Sequence, residues 1–136
     1  MNFSNITYTV FAFAMMAIVS LTGCKEEEPV APEVSMNISA PSVGTMFGKD
    51  DTIHVHAMVS HEEEMHGYEA FIRNTSMGDT VVWYVSEHAH GTEFHIEGEW
   101  VNNVQHHSDM ELIINVAVTH DGEQVSDTVA FHCHPM

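Results

Sequence analysis

The chain carries 12 histidines, all after residue 50, about twice what even usage of the twenty residue types would place there. Three pairs have the form His-x-His: His54/His56, His88/His90 and His132/His134, and His106 and His107 are adjacent. On a β-strand, residues i and i+2 share a face and stand about 6.6–7 Å apart. Two imidazoles at that spacing can converge on one ion at nitrogen–metal distances of about 2.0–2.1 Å. The candidate ligands are therefore His54, His56, His88, His90, His95, His106, His107, His132 and His134, with Cys133 and Met58 as additional candidates. Imidazole suits copper, zinc and nickel alike, so the spacing calls for copper or zinc without choosing between them. A second reading stays open, in which these are polar surface residues that pair one by one with carboxylates. The two readings differ in a single observable, the convergence of several rings on one point.

Composition narrows the partners. With 20 acidic and 3 basic residues the formal charge is −17, which excludes nucleic-acid binding, since a phosphate backbone requires a basic footprint. Adsorption to anionic lipid headgroups is disfavoured for the same reason, and cations are the natural counterparts. Acidity by itself also keeps exported proteins soluble. Protonating all 12 histidines would bring −17 to −5, so the surface responds strongly to pH near the ordinary imidazole value of about 6.5. The segment His132-Cys133-His134 resembles the copper-binding signature of multicopper oxidases, but the several cupredoxin domains of those enzymes have no counterpart here. A blue-copper site fails too, because its Cys, His and Met ligands need a loop between them that wraps the metal. No nucleophile–base pair, paired-carboxylate cleft or phosphate loop is visible, and the chain reads as a non-enzyme.

Strands must position these histidines. Seven runs show period-2 patterning: 34–40, 52–60, 67–74, 80–86, 92–98, 111–120 and 125–134. In 52–60, Ile53, Val55, Ala57 and Val59 take one face while His54, His56 and Met58 take the other. Asp121-Gly122 marks a hairpin turn between the last two runs. No stretch sustains a helical period. The expectation is an all-β, immunoglobulin-like β-sandwich of about seven antiparallel strands spanning 34–136. The hairpin "ELIINVAVTHDGEQVSDTVAF" resembles the immunoglobulin-like domains of Bacteroidetes lipoproteins, which implies the same fold and an envelope location. Alternating strand directions sort the histidines to two poles. His54, His106, His107, His132 and His134 fall at one, and His61, His66, His88, His90 and His120 at the other, with His56 and His95 between.

The N-terminus addresses the domain. Residues 11–23 (FAFAMMAIVSLTG) are too short for a membrane span of about 20 residues but suit the hydrophobic region of a secretion signal. Leu21-Thr22-Gly23-Cys24 resembles the bacterial lipobox, in which the cysteine receives diacylglycerol, although the signal carries no Lys or Arg. This implies a signal peptide at 1–23, and a lipidated Cys24 with an acidic, proline-containing tether (KEEEPVAP) over 24–33. Lipid on Cys24 leaves Cys133 without an intramolecular partner. The expected protein is anchored by lipid to the inner or outer membrane of a bacterial envelope. There it binds copper or zinc, or serves as a pH-sensitive module for an envelope protein or glycan. Intact mass should show a mature chain that begins at Cys24 and bears lipid. Metabolic palmitate label should be absent from Cys24→Ser, and label retained in that variant would refute the assignment.

Overall fold

The computed structural model describes residues 33–135. The signal segment, Cys24 and nearly all of the tether lie outside them. Among the described residues, no helix is long and apolar enough to cross a membrane.

Eight strands build two sheets: β1 (Ser35–Ala40), β2 (Met46–Phe47), β3 (Thr52–Met65), β4 (Gly67–Asn74), β5 (Thr80–Glu87), β6 (Gly91–Val101), β7 (Ser108–Ala117) and β8 (Gln124–Cys133). One sheet has the order β1-β3-β6 and the other β2-β8-β7-β4-β5. All pairings are antiparallel except β2 with β8, which is parallel. This is an immunoglobulin-like β-sandwich. The eighth strand, β2, is absent from the sequence reading because two residues are too short for alternation to register. β3 also runs beyond Ser60 to Met65, through a register shift opposite β6 that lets the acidic run Glu62–Glu64 face water.

Alternation explains the layers. β3 buries Ile53, Val55, Ala57 and Val59, and β7 buries Met110, Leu112, Ile114 and Val116, so the facing rows interlock. Phe94 and Ile96 from β6, Ala70 and Ile72 from β4, and Phe131 and Cys133 from β8 complete the core. Each fully buried large aliphatic residue contributes about 1.5–3 kcal/mol relative to exposure.

Of the buried polar residues, one links several elements. Asn102, fully buried just after β6, donates its two Nδ2 hydrogens to the carbonyls of Gly48 (2.7 Å) and His134 (2.9 Å). Its Oδ1 accepts from the Val104 N–H at 3.2 Å. Its backbone N–H donates to the Asp51 carbonyl at 2.9 Å, and its carbonyl accepts from Asp50 at 3.0 Å. One amide thus ties the β2–β3 turn, the end of β6 and the end of β8. Replacing it by Ala leaves the carbonyls of Gly48 and His134 without these donors in a site closed to water. The expected loss in Asn102→Ala is about 2–3 kcal/mol, seen as a melting temperature lower by about 10–20 °C. A change of a degree or two would show that water substitutes for the amide.

Candidate metal centre

Register puts the first cluster on the outer face of the five-stranded sheet. Ser108 pairs with Cys133 and Asp109 with His132 across β7 and β8, and both Ser108 and Cys133 are buried. Alternation then turns Asp109, His132 and His134 outward, with His107 one residue before β7 on the same side. The rings of His132 and His134 stand 4.7 Å apart and those of His107 and His134 4.9 Å. Each of the three offers a nitrogen, and the three nitrogens lie within 4.8 Å of one another.

The protons show what this cluster can do. His132 donates from Nδ1–H to Asp109 Oδ1 at 2.8 Å, which leaves the Nε2 lone pair free toward a metal. Nδ1 of His134 and Nδ1 of His107 lie 2.8 Å apart, so one ring donates its N–H to the other's lone pair. Two ligand nitrogens on a tetrahedral ion stand about 3.3 Å apart, so a metal would open this contact by about half an ångström and displace its proton. Three imidazoles, one held by a carboxylate behind it, could supply three of the four donors a tetrahedral ion takes.

The second cluster gathers at the other end of β7. It joins Glu64 and His66 at the β3–β4 corner, His88 and His90 between β5 and β6, and His120 beyond β7. Ligand atoms of Glu64, His66 and His90 lie within 4.8 Å of one another. His90 Nδ1 is 3.2 Å from Glu64 Oε1 and 3.1 Å from His66 Nδ1. The His120 ring lies tilted against His66 at 3.7 Å between ring centres, and His88 meets His90 edge-on at 5.2 Å. Gly67 permits this closeness: at φ +131° it lies against the Glu87 carbonyl, where any Cβ would collide. Burial lowers the His66 pKa from 6.5, and the nearby His120 and His90 add to the shift while Glu64 opposes it. His66 therefore stays neutral at lower pH than an ordinary histidine.

The remaining candidates do not converge. His54, His56 and His95 stand on the outer face of the β1-β3-β6 sheet, where register sets His54 opposite Glu99 and His56 opposite Glu97. Each faces its own carboxylate: His54–Glu99 at 3.1 Å, His56–Glu97 at 3.8 Å and His95–Glu93 at 2.7 Å. His54 therefore does not share a site with His107, since the two lie on different sheets. Met58, half-exposed, is opposite His95 and adjoins neither cluster. His106 is exposed, and its ring belongs to neither group.

Cys133 lies in the core and is not among the converging residues. It is fully buried beside Phe131, and burial, with a smaller contribution from Asp51, pushes its thiol up to about 11. A metal needs the thiolate, so His-Cys-His divides into two outward imidazoles and one core residue. Sequence reasoning did not single out Asp109 and Glu64. Asp109 was accessible in principle, since pairing His132 with the strand before it brings an acidic residue opposite. Glu64 was hidden in a run of three glutamates.

No family model and no curated protein matches the chain. Among solved structures, the fibronectin(III)-like modules of Clostridium thermocellum CbhA align at 16% identity and TM-score 0.48, covering 75% of this chain and 98% of that one. A CARDB domain from Pyrococcus furiosus aligns at 10% identity and TM-score 0.46, covering 78% and 98%.

The state of Cys133 can be tested directly. At a pH of about 9 an ordinary thiol is half ionised or more, whereas one at about 11 is ionised in roughly one molecule in a hundred. Iodoacetamide should therefore leave Cys133 unmodified in native protein and label it after unfolding in urea. Rapid native labelling would return Cys133 to the ligand candidates.

Proposed function

We propose that this chain is a lipid-anchored protein of the bacterial envelope whose immunoglobulin-like domain captures a transition-metal ion, copper or zinc, and holds it for transfer without catalysing a reaction. The observation that carries the reading is the convergence of His107, His132 and His134, with Asp109 orienting His132 from behind. Carboxylates paired one to one with histidines account for His54, His56 and His95, but not for three imidazoles facing one another at the end of a sheet. Mutual proximity of imidazoles is unfavourable once they protonate, so a bound cation gives the cluster a purpose that surface polarity does not. The net charge of −17 adds a long-range attraction for cations. Anchorage through Cys24 would keep the captured ion at a membrane surface, and the inner and outer membranes fit equally.

A second reading draws on the other sheet. The His54–Glu99, His56–Glu97 and His95–Glu93 pairs form a polar face of imidazoles and carboxylates, which suits a non-enzymatic module that docks an envelope protein or glycan. Capture of such a partner would be insensitive to chelator.

Metal-stripped full chain titrated calorimetrically with Zn²⁺ and Cu²⁺ should bind at least one of them with a dissociation constant below about 10 µM. Replacing His107, His132 and His134 together by Ala should weaken the tighter binding by about a hundredfold or more, equivalent to about 2.7 kcal/mol. Weaker binding by the native chain, or affinity unchanged in the triple variant, would remove the metal reading.

A further inference from the structure

The outer face around the first cluster contains one more donor that the histidine pattern does not reveal. β2 pairs with β8 in parallel, with Met46 opposite His132 and Phe47 opposite Cys133. Phe47 meets Phe131 edge-on at 5.6 Å and so belongs to the inner layer, and its neighbour Met46 turns outward. Across three adjacent strands the outer row therefore reads Asp109, His132, Met46, and the inner row beneath it Ser108, Cys133, Phe47.

We infer that Met46 is a thioether ligand of the His107–His132–His134 site and makes it a copper site that holds the cuprous ion. The inference rests on the metal reading of that cluster and specifies the ion.

Three observations support it. First, β2 has no extent beyond this position: it is two residues long, and three backbone bonds pin its surroundings to the histidine strand. Gly44 N–H donates to Ala130 at 2.8 Å, His132 N–H to Thr45 at 2.9 Å and His134 N–H to Phe47 at 2.8 Å. The Met46 backbone is thereby fixed beside His132, at the roughly 4.8 Å spacing of paired strands. Second, Met46 is 70% exposed, so it is not filling the core, the ordinary work of a methionine. Met58 and Met77 are exposed as well, but neither stands in register with a residue of a converging group. Third, the chemistry is complementary. Asp109 occupies one flank of His132 and stiffens it as a nitrogen donor, while the other flank offers a flexible, polarisable sulfur. Thioether sulfur adds little to a zinc site and much to a cuprous one, so a mixed imidazole–thioether set discriminates between ions that imidazole alone accepts equally.

The test uses the full chain carrying Cys24→Ser, which leaves buried Cys133 as the sole thiol. Cu(I) affinity is read by competition with bathocuproine disulfonate, and Zn²⁺ affinity by competition with a fluorescent chelator. Met46→Leu, at an exposed position where the fold tolerates Leu, should weaken Cu(I) binding by about tenfold or more while changing Zn²⁺ binding by less than about twofold. X-ray absorption of the Cu(I) form should lose its sulfur neighbour in the same variant. Met58→Leu should alter neither ion. The inference is overturned if Met46→Leu leaves Cu(I) affinity intact, if it weakens both ions equally, or if Met58→Leu is the variant that loses Cu(I). A native chain that binds Zn²⁺ but not Cu(I) would sink the thioether assignment alone. One that binds no metal would sink the site as well.

Discussion

The geometry at the histidine-rich end of the sandwich depends on the amide of Asn102. Strand β8 finishes at Cys133, and His134 lies beyond the last rung of its ladder with β7. The Asn102 Nδ2–H bond to the His134 carbonyl holds the chain where the ladder no longer does, and the companion bond to Gly48 holds the turn that delivers β2. A buried primary amide with both hydrogens used and its oxygen satisfied repays its desolvation only in one arrangement of its partners. That selectivity lets two loops and a strand terminus meet with the precision a ligand set requires, where apolar packing alone would tolerate small shifts.

Much of the architecture was legible because sandwich strands are written in a period of two. The row Ile53, Val55, Ala57, Val59 predicted both its own burial and the exposure of His54, His56 and Met58. What alternation does not carry is which strands become neighbours. Period alone does not tell that His54 belongs to the β1-β3-β6 sheet while His107 leads into β7 of the other. Nor does it carry elements of two residues, so β2 passed unseen, and Met46 with it. Asn102 was illegible for a different reason: an Asn-Asn pair after a strand reads as an exposed turn, and only the three-dimensional closure of the β2–β3 turn over it removes water.

The three histidine-bearing regions differ in what surrounds each ring. On the β1-β3-β6 face, glutamate lies opposite or beside each histidine, and although the His54 and His56 rings stack at 6.2 Å, no three donors gather. At the two ends of β7 rings face rings, and the acidic residue present, Asp109 or Glu64, meets one ring, His132 or His90, that itself faces other imidazoles. Histidine count alone does not separate these cases. Cross-strand register does, because a shift of one residue along β8 would carry His132 and His134 into the core and Cys133 to the surface.

The placement of the two clusters on β7 has an energetic corollary. The strand is 10 residues long, so its ends are about 30 Å apart. At physiological ionic strength electrostatic influence decays over about 8 Å, far less than this separation. A charge gained or lost at one cluster is therefore screened from the other, and each answers to its own donors.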